Sequence, residues 1–224
     1  MKKLIFLVAI FGSVLFAKMG MMKMYQSVPV EKATILQKGD AKMFCPKCGM
    51  TLPMFYKTNH VATDENEVVK QYCSIHCLVE DALSHKLKDM KVVDNTTLKF
   101  IPVEDAYYVV GSQKKGTMTM VSKYAFGTKK AASEFQKKYG GKIMRFDDVY
   151  EMVEKNLKKE SAMIAKKQHK MAKMGGMIYK KMCKDDGKRF KTPAQAKAHI
   201  KSTGICGDLK GKKLQAVGLY LSGK

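Results

Sequence analysis

Four cysteines in two closely spaced pairs restrict the folds open to this chain. The first pair lies in Cys45-Pro46-Lys47-Cys48, and the second lies in Cys73-Ser74-Ile75-His76-Cys77. A CxxC knuckle turns both sulfurs to one side, and cysteines at i and i+4 share one face of a helix. A hairpin between the pairs would bring the knuckle and the helix start together. The sequence therefore predicts one shared metal site built from both pairs.

The segments around the cysteines predict the order strand, strand, helix, strand, and this order then begins again. The predicted strands are 54–64, 66–73, 97–103, 106–113, 117–127 and 142–146, and the predicted helices are 74–88 and 129–139. Turns are expected at Asp64-Glu65-Asn66, and Gly140-Gly141 is a stop signal for the second helix. The sequence predicts an α+β fold of two small ββαβ-type units, followed by a long helix and a small helical C-terminal tail.

The domain boundaries follow from composition and from Gly-rich breaks. We expect a signal peptide at 1–17 and a Met-rich flexible N-terminus at 18–42. The two ββαβ-type units are expected at about 43–105 and 106–157, followed by a helix and linker at 158–177 and a basic helical tail at 178–224. Within the last break, Met174-Gly175-Gly176-Met177 is expected to interrupt the long helix.

The first residues have the three-part pattern of a secretory signal. Lys2 and Lys3 precede an apolar run from Leu4 to Phe16, and Ala17 offers a small residue for cleavage. The run is short for a transmembrane helix, so an uncleaved N-terminal anchor is the alternative. No cysteine follows the run, so a lipobox is not expected. The protein is expected to be periplasmic.

The strongly basic composition narrows the partners. Lys and Arg number 42 against 20 Asp and Glu, for a net charge of +22. Such a charge in a cytosolic protein would indicate that the protein binds nucleic acid. An exported chain meets little nucleic acid, so an acidic protein partner or peripheral contact with an anionic membrane surface is expected instead.

Methionines indicate which metal the site would hold. The chain has 18 of them, and Met50 follows Cys48-Gly49 directly. Two clusters lie elsewhere, namely Met19, Met21, Met22 and Met24, and His169, Met171, Met174 and Met177. Thioethers suit Cu(I) and offer little to zinc. The expected cofactor is therefore Cu(I), with zinc as the alternative.

The candidate ligands form a main group and a weaker group. The main group is Cys45, Cys48, Met50, Cys73, His76 and Cys77, and the weaker group is His60 with the two clusters given above. Cys183 and Cys206 are expected to form a disulfide, with a second metal site as the alternative. Because exported proteins usually oxidise their cysteines, structural disulfides compete with the metal hypothesis. A structural zinc knuckle and a thiol–disulfide oxidoreductase using Cys45 and Cys48 are further alternatives.

The residues resemble the NosL family. The resemblance rests on Cys48-Gly49-Met50, then a hairpin, then Tyr72-Cys73-Ser74 opening a helix, and on the downstream segments YYVVGS and SKYAFGTKKAASEFQKKYGGKIMRFDDV. It covers about residues 43–157. It implies two related ββαβ units, export to the periplasm, and Cu(I) delivery to nitrous oxide reductase during its maturation, without enzymatic activity. Cys48 and Met50 are the ligands that it implies.

The chain departs from this family at three points. It has no cysteine for the lipid anchor that many members carry, and Cys73 with Cys77 resembles the cysteine clusters of TRASH-type metal-sensing domains. The basic tail lies outside the resemblance. The leading hypothesis is a periplasmic Cu(I) chaperone that serves a client metalloenzyme.

Overall fold

The computed structural model describes residues 24–224 and contains two antiparallel sheets. The first unit comprises β1 (His60–Thr63), β2 (Val69–Tyr72), α1 (Ile75–Ala82), β3 (Lys88–Val93) and β4 (Phe100–Pro102). The second comprises β5 (Tyr107–Val110), β6 (Lys123–Phe126), α2 (Lys129–Tyr139) and β7 (Lys142–Met144). The sheets have the strand orders β2-β1-β3-β4 and β6-β5-β7. In both units the first strand lies between the second strand and the strand after the helix, so the predicted ββαβ repetition is confirmed.

The hairpin between the cysteine pairs forms where the sequence predicts it. β1 and β2 pair from His60 with Tyr72 to Thr63 with Val69. The Asp64 side chain accepts hydrogen bonds from two backbone amides of the turn, at 2.9 and 3.0 Å. Such an Asx turn lets the chain reverse within a few residues. The reversal returns the residue after β2, Cys73, to the start of β1.

Strand β3 was not expected, because the sequence of 88–93 shows no apolar alternation. Only Val92 and Val93 of this strand are buried. Pairing with β1 and β4 on both edges makes the segment a strand. The preceding helix correspondingly ends at Ala82 instead of continuing to residue 88.

The predicted strand at 117–127 is shorter than expected. Only Lys123–Phe126 pairs in the sheet. Met118 has a left-handed backbone with φ of 68°, which a strand does not accommodate. In contrast, α2 matches its predicted range, since Thr128 caps its first turn and Gly140 ends it at a φ of 71°.

The predicted break at 174–177 is wrong. A single helix, α3, runs for 37 residues through both glycines, from Phe146–Met182. A Cβ at Gly175 would lie closer than 3.0 Å to the carbonyl oxygen of Ala216. The glycines therefore allow close helix contact in place of a chain break.

The C-terminal unit, residues 183–224, contains α4 (Pro193–Thr203) and α5 (Gly211–Leu221). Its core joins both helices to the end of α3, through Tyr179, Ile200, Leu214, Val217 and Leu221. A disulfide between Cys183 and Cys206 ties the end of α3 to the loop between α4 and α5.

The described part of the segment expected to be flexible, residues 24–42, lies against both units. The Gln26 side chain donates to the carbonyl of Lys115 at 2.7 Å, and the Gln71 side chain accepts from the amide of Leu36 at 2.9 Å. Within residues 24–224, no helix is both long and apolar enough to cross a membrane. The signal-like segment 1–17 lies outside the described residues.

Candidate metal centre

The first cysteine pair lies in a tight turn closed by backbone hydrogen bonds. The amide of Gly49 donates to the carbonyl of Cys45 at 2.8 Å, and the amide of Cys45 donates to the carbonyl of Met50 at 2.9 Å. Gly49 has a φ of 72°, and a Cβ there would lie 2.6 Å from the Cβ of Pro193. Only glycine meets both conditions without strain. We call residues 45–50 the knuckle.

The second pair spans the start of α1. Ser74 is the extended N-cap residue, Cys73 precedes it, and Cys77 lies in the first helical turn. The hydroxyl of Thr58 donates to the carbonyl of Cys73 at 2.8 Å. The sulfurs of Cys73 and Cys77 are 3.7 Å apart. The Thr58 bond fixes the backbone of Cys73 at the start of α1.

All four sulfurs converge on one point. The Sγ atoms of Cys45, Cys48, Cys73 and Cys77 lie within 4.8 Å of one another, and Cys48 Sγ is 3.4 Å from Cys73 Sγ. All four side chains are buried and none is disulfide-bonded. Four converging soft ligands are a donor set for a thiophilic metal ion.

The four thiols do not ionise equally. Burial raises the pKa of the Cys45 thiol, but hydrogen bonds from Cys48, Cys73 and Cys77 outweigh it and hold this pKa well below its ordinary value. Burial and donation to Cys45 raise the pKa of Cys73, and donation to Cys45 also raises the pKa of Cys77. Cys45 is therefore favoured over Cys73 and Cys77 as the thiol that ionises first in the metal-free protein.

Two side chains of the C-terminal unit reach the knuckle. The Lys197 ammonium donates to the carbonyl of Gly49 at 2.6 Å, to Gln215 Oε1 at 2.9 Å and to Thr51 Oγ1 at 3.2 Å. The Gln215 amide donates to the carbonyl of Cys48 at 2.8 Å. Burial lowers the pKa of Lys197 to about 7, and the nearby cysteines, Cys48 foremost, act in the opposite direction. Sequence reasoning missed both residues because more than a hundred positions separate them from the cysteines.

A cavity of about 810 Å³ reaches the centre from outside. Cys48 is part of its wall, together with Met118 and His169, and the α3 segment around Ala165 forms another side. Among the four cysteines, only Cys48 lines this cavity. Met118 is a further thioether beside the site that the sequence analysis did not select.

The two candidate histidines lie outside the four-sulfur group. His76 is buried, with Nδ1 3.3 Å from Glu160 Oε2 and Nε2 3.4 Å from the hydroxyl of Ser161, so both nitrogens face α3. His60 is held between the carbonyl of Thr58 and the hydroxyl of Tyr108, at 3.1 and 3.0 Å. The structure does not bring either ring into the four-sulfur set.

The candidate methionines are dispersed. Met50 is half-buried and packs against the core that contains the cysteines. Met174 and Met177 are exposed on α3, Met171 is half-buried there, and Met24 is 41% exposed. His169 is exposed at the cavity wall. Met19, Met21 and Met22 lie outside the described residues.

Comparison with known proteins identifies the family. A model of the NosL family matches residues 37–153, a range that includes all four clustered cysteines and ends within α3. No curated protein matches the chain. Among solved structures, it is similar to the copper chaperone NosL from Shewanella denitrificans, at 27% identity over 55% of this chain and 94% of that chain, with a TM-score of 0.39. Because the family match spans more than half of its residues, the chain belongs to the NosL family.

Proposed function

We propose that this protein is a Cu(I) chaperone that holds copper on Cys45, Cys48, Cys73 and Cys77 and passes it to a client metalloenzyme. The observation that carries the proposal is the convergence of four buried sulfurs within 4.8 Å. Thiolates are soft ligands and suit Cu(I). Met50, next to this set, is the proposed thioether ligand that the family resemblance implies.

Transfer requires that a second protein reach the bound ion. Cys48 lines the cavity of about 810 Å³, so a client ligand can approach the copper from that side. The client ligand would bind Cu(I) before the bond to Cys48 breaks, and the remaining cysteines would then release it in turn. The copper stays in the Cu(I) state throughout, so this exchange needs no electron donor.

The test is a competition titration of the reduced protein with Cu(I) against a strong chromophoric chelator. Wild type is expected to bind tightly, while Cys48→Ser and Met50→Leu are expected to bind more weakly. Met54→Leu is the matched control for Met50, because Met54 lies four residues away and is 37% exposed. Cu(I) binding by wild type at the chelator's background would overturn the proposal.

A structural zinc site is the second candidate, since four cysteines around one point are typical of such sites. Zinc titration of the same samples separates the two candidates. Zinc binding without competitive Cu(I) binding would identify the centre as a structural zinc site. Insulin reduction tests the third hypothesis, a thiol–disulfide oxidoreductase, and we expect no activity because Cys45 and Cys48 are buried.

We further propose that residues 1–17 direct export to the periplasm and that the client belongs to nitrous oxide reductase maturation, as the family resemblance implies. The net charge of +22 supports docking to an acidic client surface or an anionic membrane. Cell fractionation of the tagged chain tests export. Copper content of nitrous oxide reductase, measured in cells with and without this protein, tests the client, and unchanged copper content would exclude it.

A further inference from the structure

The C-terminal unit packs directly on the knuckle, although it lies outside the matched range 37–153. Pro193 abuts Gly49, and Phe44 forms a small apolar cluster with Ala194 and Ala198 of α4. Lys197, on the same helix, is buried and only 1% exposed. The unit thus places one cationic side chain beside the sulfur centre.

The hydrogen-bond partners of Lys197 fit a protonated ammonium, although burial lowers the pKa of this group to about 7. An ammonium group has three donors and no acceptor. Lys197 Nζ meets three acceptors, on Gly49, Thr51 and Gln215, at 2.6 to 3.2 Å. The Phe44 ring lies against the same group, with its centroid 4.3 Å from Nζ. Every donor is therefore used, and the aromatic face adds a further attraction for positive charge.

The acceptors around Lys197 are all neutral. Among the ion pairs formed within residues 24–224, none joins Lys197 to a carboxylate. A buried charge without a counter-charge is costly. The nearby groups that can supply negative charge, once a bound metal displaces their protons, are Cys48, Cys45 and Cys73.

Cu(I) carries a single positive charge, so a complex with two or more thiolates is anionic. We propose that Lys197 is the charge-compensating residue of this copper–thiolate complex, held in place by Gln215, and that the C-terminal unit is therefore part of the metal centre. The inference rests on the proposed function. Lys197 acts through charge and through the backbone of Gly49, without contacting the metal.

The experiment is a Cu(I) competition titration of four reduced full-length proteins. They are wild type, Lys197→Gln, the exchanged pair Lys197→Gln/Gln215→Lys, and the control Lys201→Gln. Gln215 Oε1 lies 2.9 Å from Lys197 Nζ, so a lysine at position 215 brings its ammonium close to the same place. Lys201 is on the same helix but is exposed.

Lys197→Gln is expected to lose about 10- to 100-fold in Cu(I) affinity, the usual effect of changing a group that supports metal ligands. The exchanged pair is expected to regain most of this loss, and Lys201→Gln is expected to match wild type. A purely structural role predicts that the exchanged pair, with two core substitutions, binds no better than Lys197→Gln. That result, or wild-type affinity in Lys197→Gln, overturns the inference.

Folding is checked by circular dichroism before and after loading. If Lys197→Gln does not fold, a second variant, Thr51→Asp, provides the test. It keeps an acceptor for Lys197 and leaves the bond from Gln215 to Cys48 in place, but it neutralises the charge of Lys197. This variant is expected to bind Cu(I) more weakly, and wild-type affinity in it overturns the inference. Failure of wild type to bind Cu(I) would instead remove the proposed function, so the two failures are distinguishable.

Discussion

At the scale of the residue, the four clustered cysteines share one side-chain chemistry but differ in their hydrogen-bond partners. Cys45 accepts hydrogen bonds from its three neighbours, which lowers its pKa, whereas Cys73 and Cys77 have raised pKa values. Cys45 is thus the thiol favoured to ionise first, and the thiols lose their protons as they bind the ion.

The unequal thiols lead to a prediction for the reduced, metal-free protein. Cys45→Ser is expected to abolish the ultraviolet thiolate absorbance at neutral pH, because the acceptor of the three hydrogen bonds is lost. Cys77→Ser is the control, since its hydroxyl can still donate to Cys45, and it is expected to keep most of the absorbance. Equal absorbance in both variants would contradict the assignment of the thiolate to Cys45.

The lowered pKa of His60 leads to a second prediction, on the pH dependence of stability. Burial lowers its pKa from 6.5 to about 4, so the folded protein holds it neutral where the unfolded chain is protonated. The free energy of unfolding should therefore fall as the pH decreases from about 6.5 to about 4. At 1.36 kcal/mol per pKa unit, the contribution of His60 is about 3 kcal/mol.

Urea unfolding across this pH range measures the effect. His60→Gln, which can still bond to Thr58 and Tyr108, is expected to show a shallower pH dependence than wild type. His169→Gln is the control, because His169 is exposed on α3. An unchanged pH dependence in His60→Gln would show that other groups account for the acid sensitivity.

Residue types and spacing were enough to select the four cysteines. They could not select Lys197, Gln215 or Met118, because nothing in the local sequence distinguishes a buried lysine from the many exposed ones. His76 shows the limit of spacing in the other direction, since its position between two cysteines predicts a ligand. Its ring instead faces Glu160 and Ser161 of α3, a contact across 84 residues that no local pattern encodes.

At the scale of the element, helix α3 shows how packing overrides local propensity. Gly-Gly normally weakens a helix by about 1 kcal/mol per glycine relative to alanine, which is why a break was expected. Packing against α5 compensates, because Gly175 lets α3 approach the Ala216 backbone. The strand β3 is a related case, in which sheet neighbours determine the conformation of a segment without apolar alternation.

Gly175→Ala tests this packing. In an isolated helix the change would be stabilising. Here the added methyl group collides with the Ala216 carbonyl, so we expect a loss of about 1–3 kcal/mol in the free energy of unfolding. Lys173→Ala, at an exposed position of the same helix, is the control and should change stability little. Thermal or urea unfolding that shows stabilisation in Gly175→Ala would contradict the close contact between α3 and α5.

At the scale of the whole molecule, the centre is assembled from parts that are far apart in the chain. Residues 45–77 supply the sulfurs, α3 contacts both α1 and α5, and the C-terminal unit returns to the knuckle. Most of the repeated ββαβ order was predictable from local patterns, although strand β3 was not. The docking of the C-terminal unit was not, since the bond from Lys197 to Gly49 joins residues 148 positions apart.

The disulfide between Cys183 and Cys206 connects this docking to the stability of the centre. It closes a loop with a sequence separation of 23, and such a crosslink stabilises a fold by about 3 kcal/mol, mainly by restricting the unfolded chain. Cys183→Ser/Cys206→Ser should therefore open the C-terminal unit more often. Because Pro193 and Lys197 rest on the knuckle, each opening should also expose the amide of Gly49.

Hydrogen exchange of the metal-free protein, with the Cys183–Cys206 disulfide intact in wild type, measures both effects in one experiment. We expect faster exchange in α4, α5 and the knuckle of the double serine variant, with little change in the second sheet at β5 and β6. Faster exchange confined to residues 183–224 would mean that the knuckle keeps its shape without the C-terminal unit. Parallel acceleration at Gly49 would instead show that the disulfide, through α4, helps to hold the cysteine turn in the geometry that the metal requires.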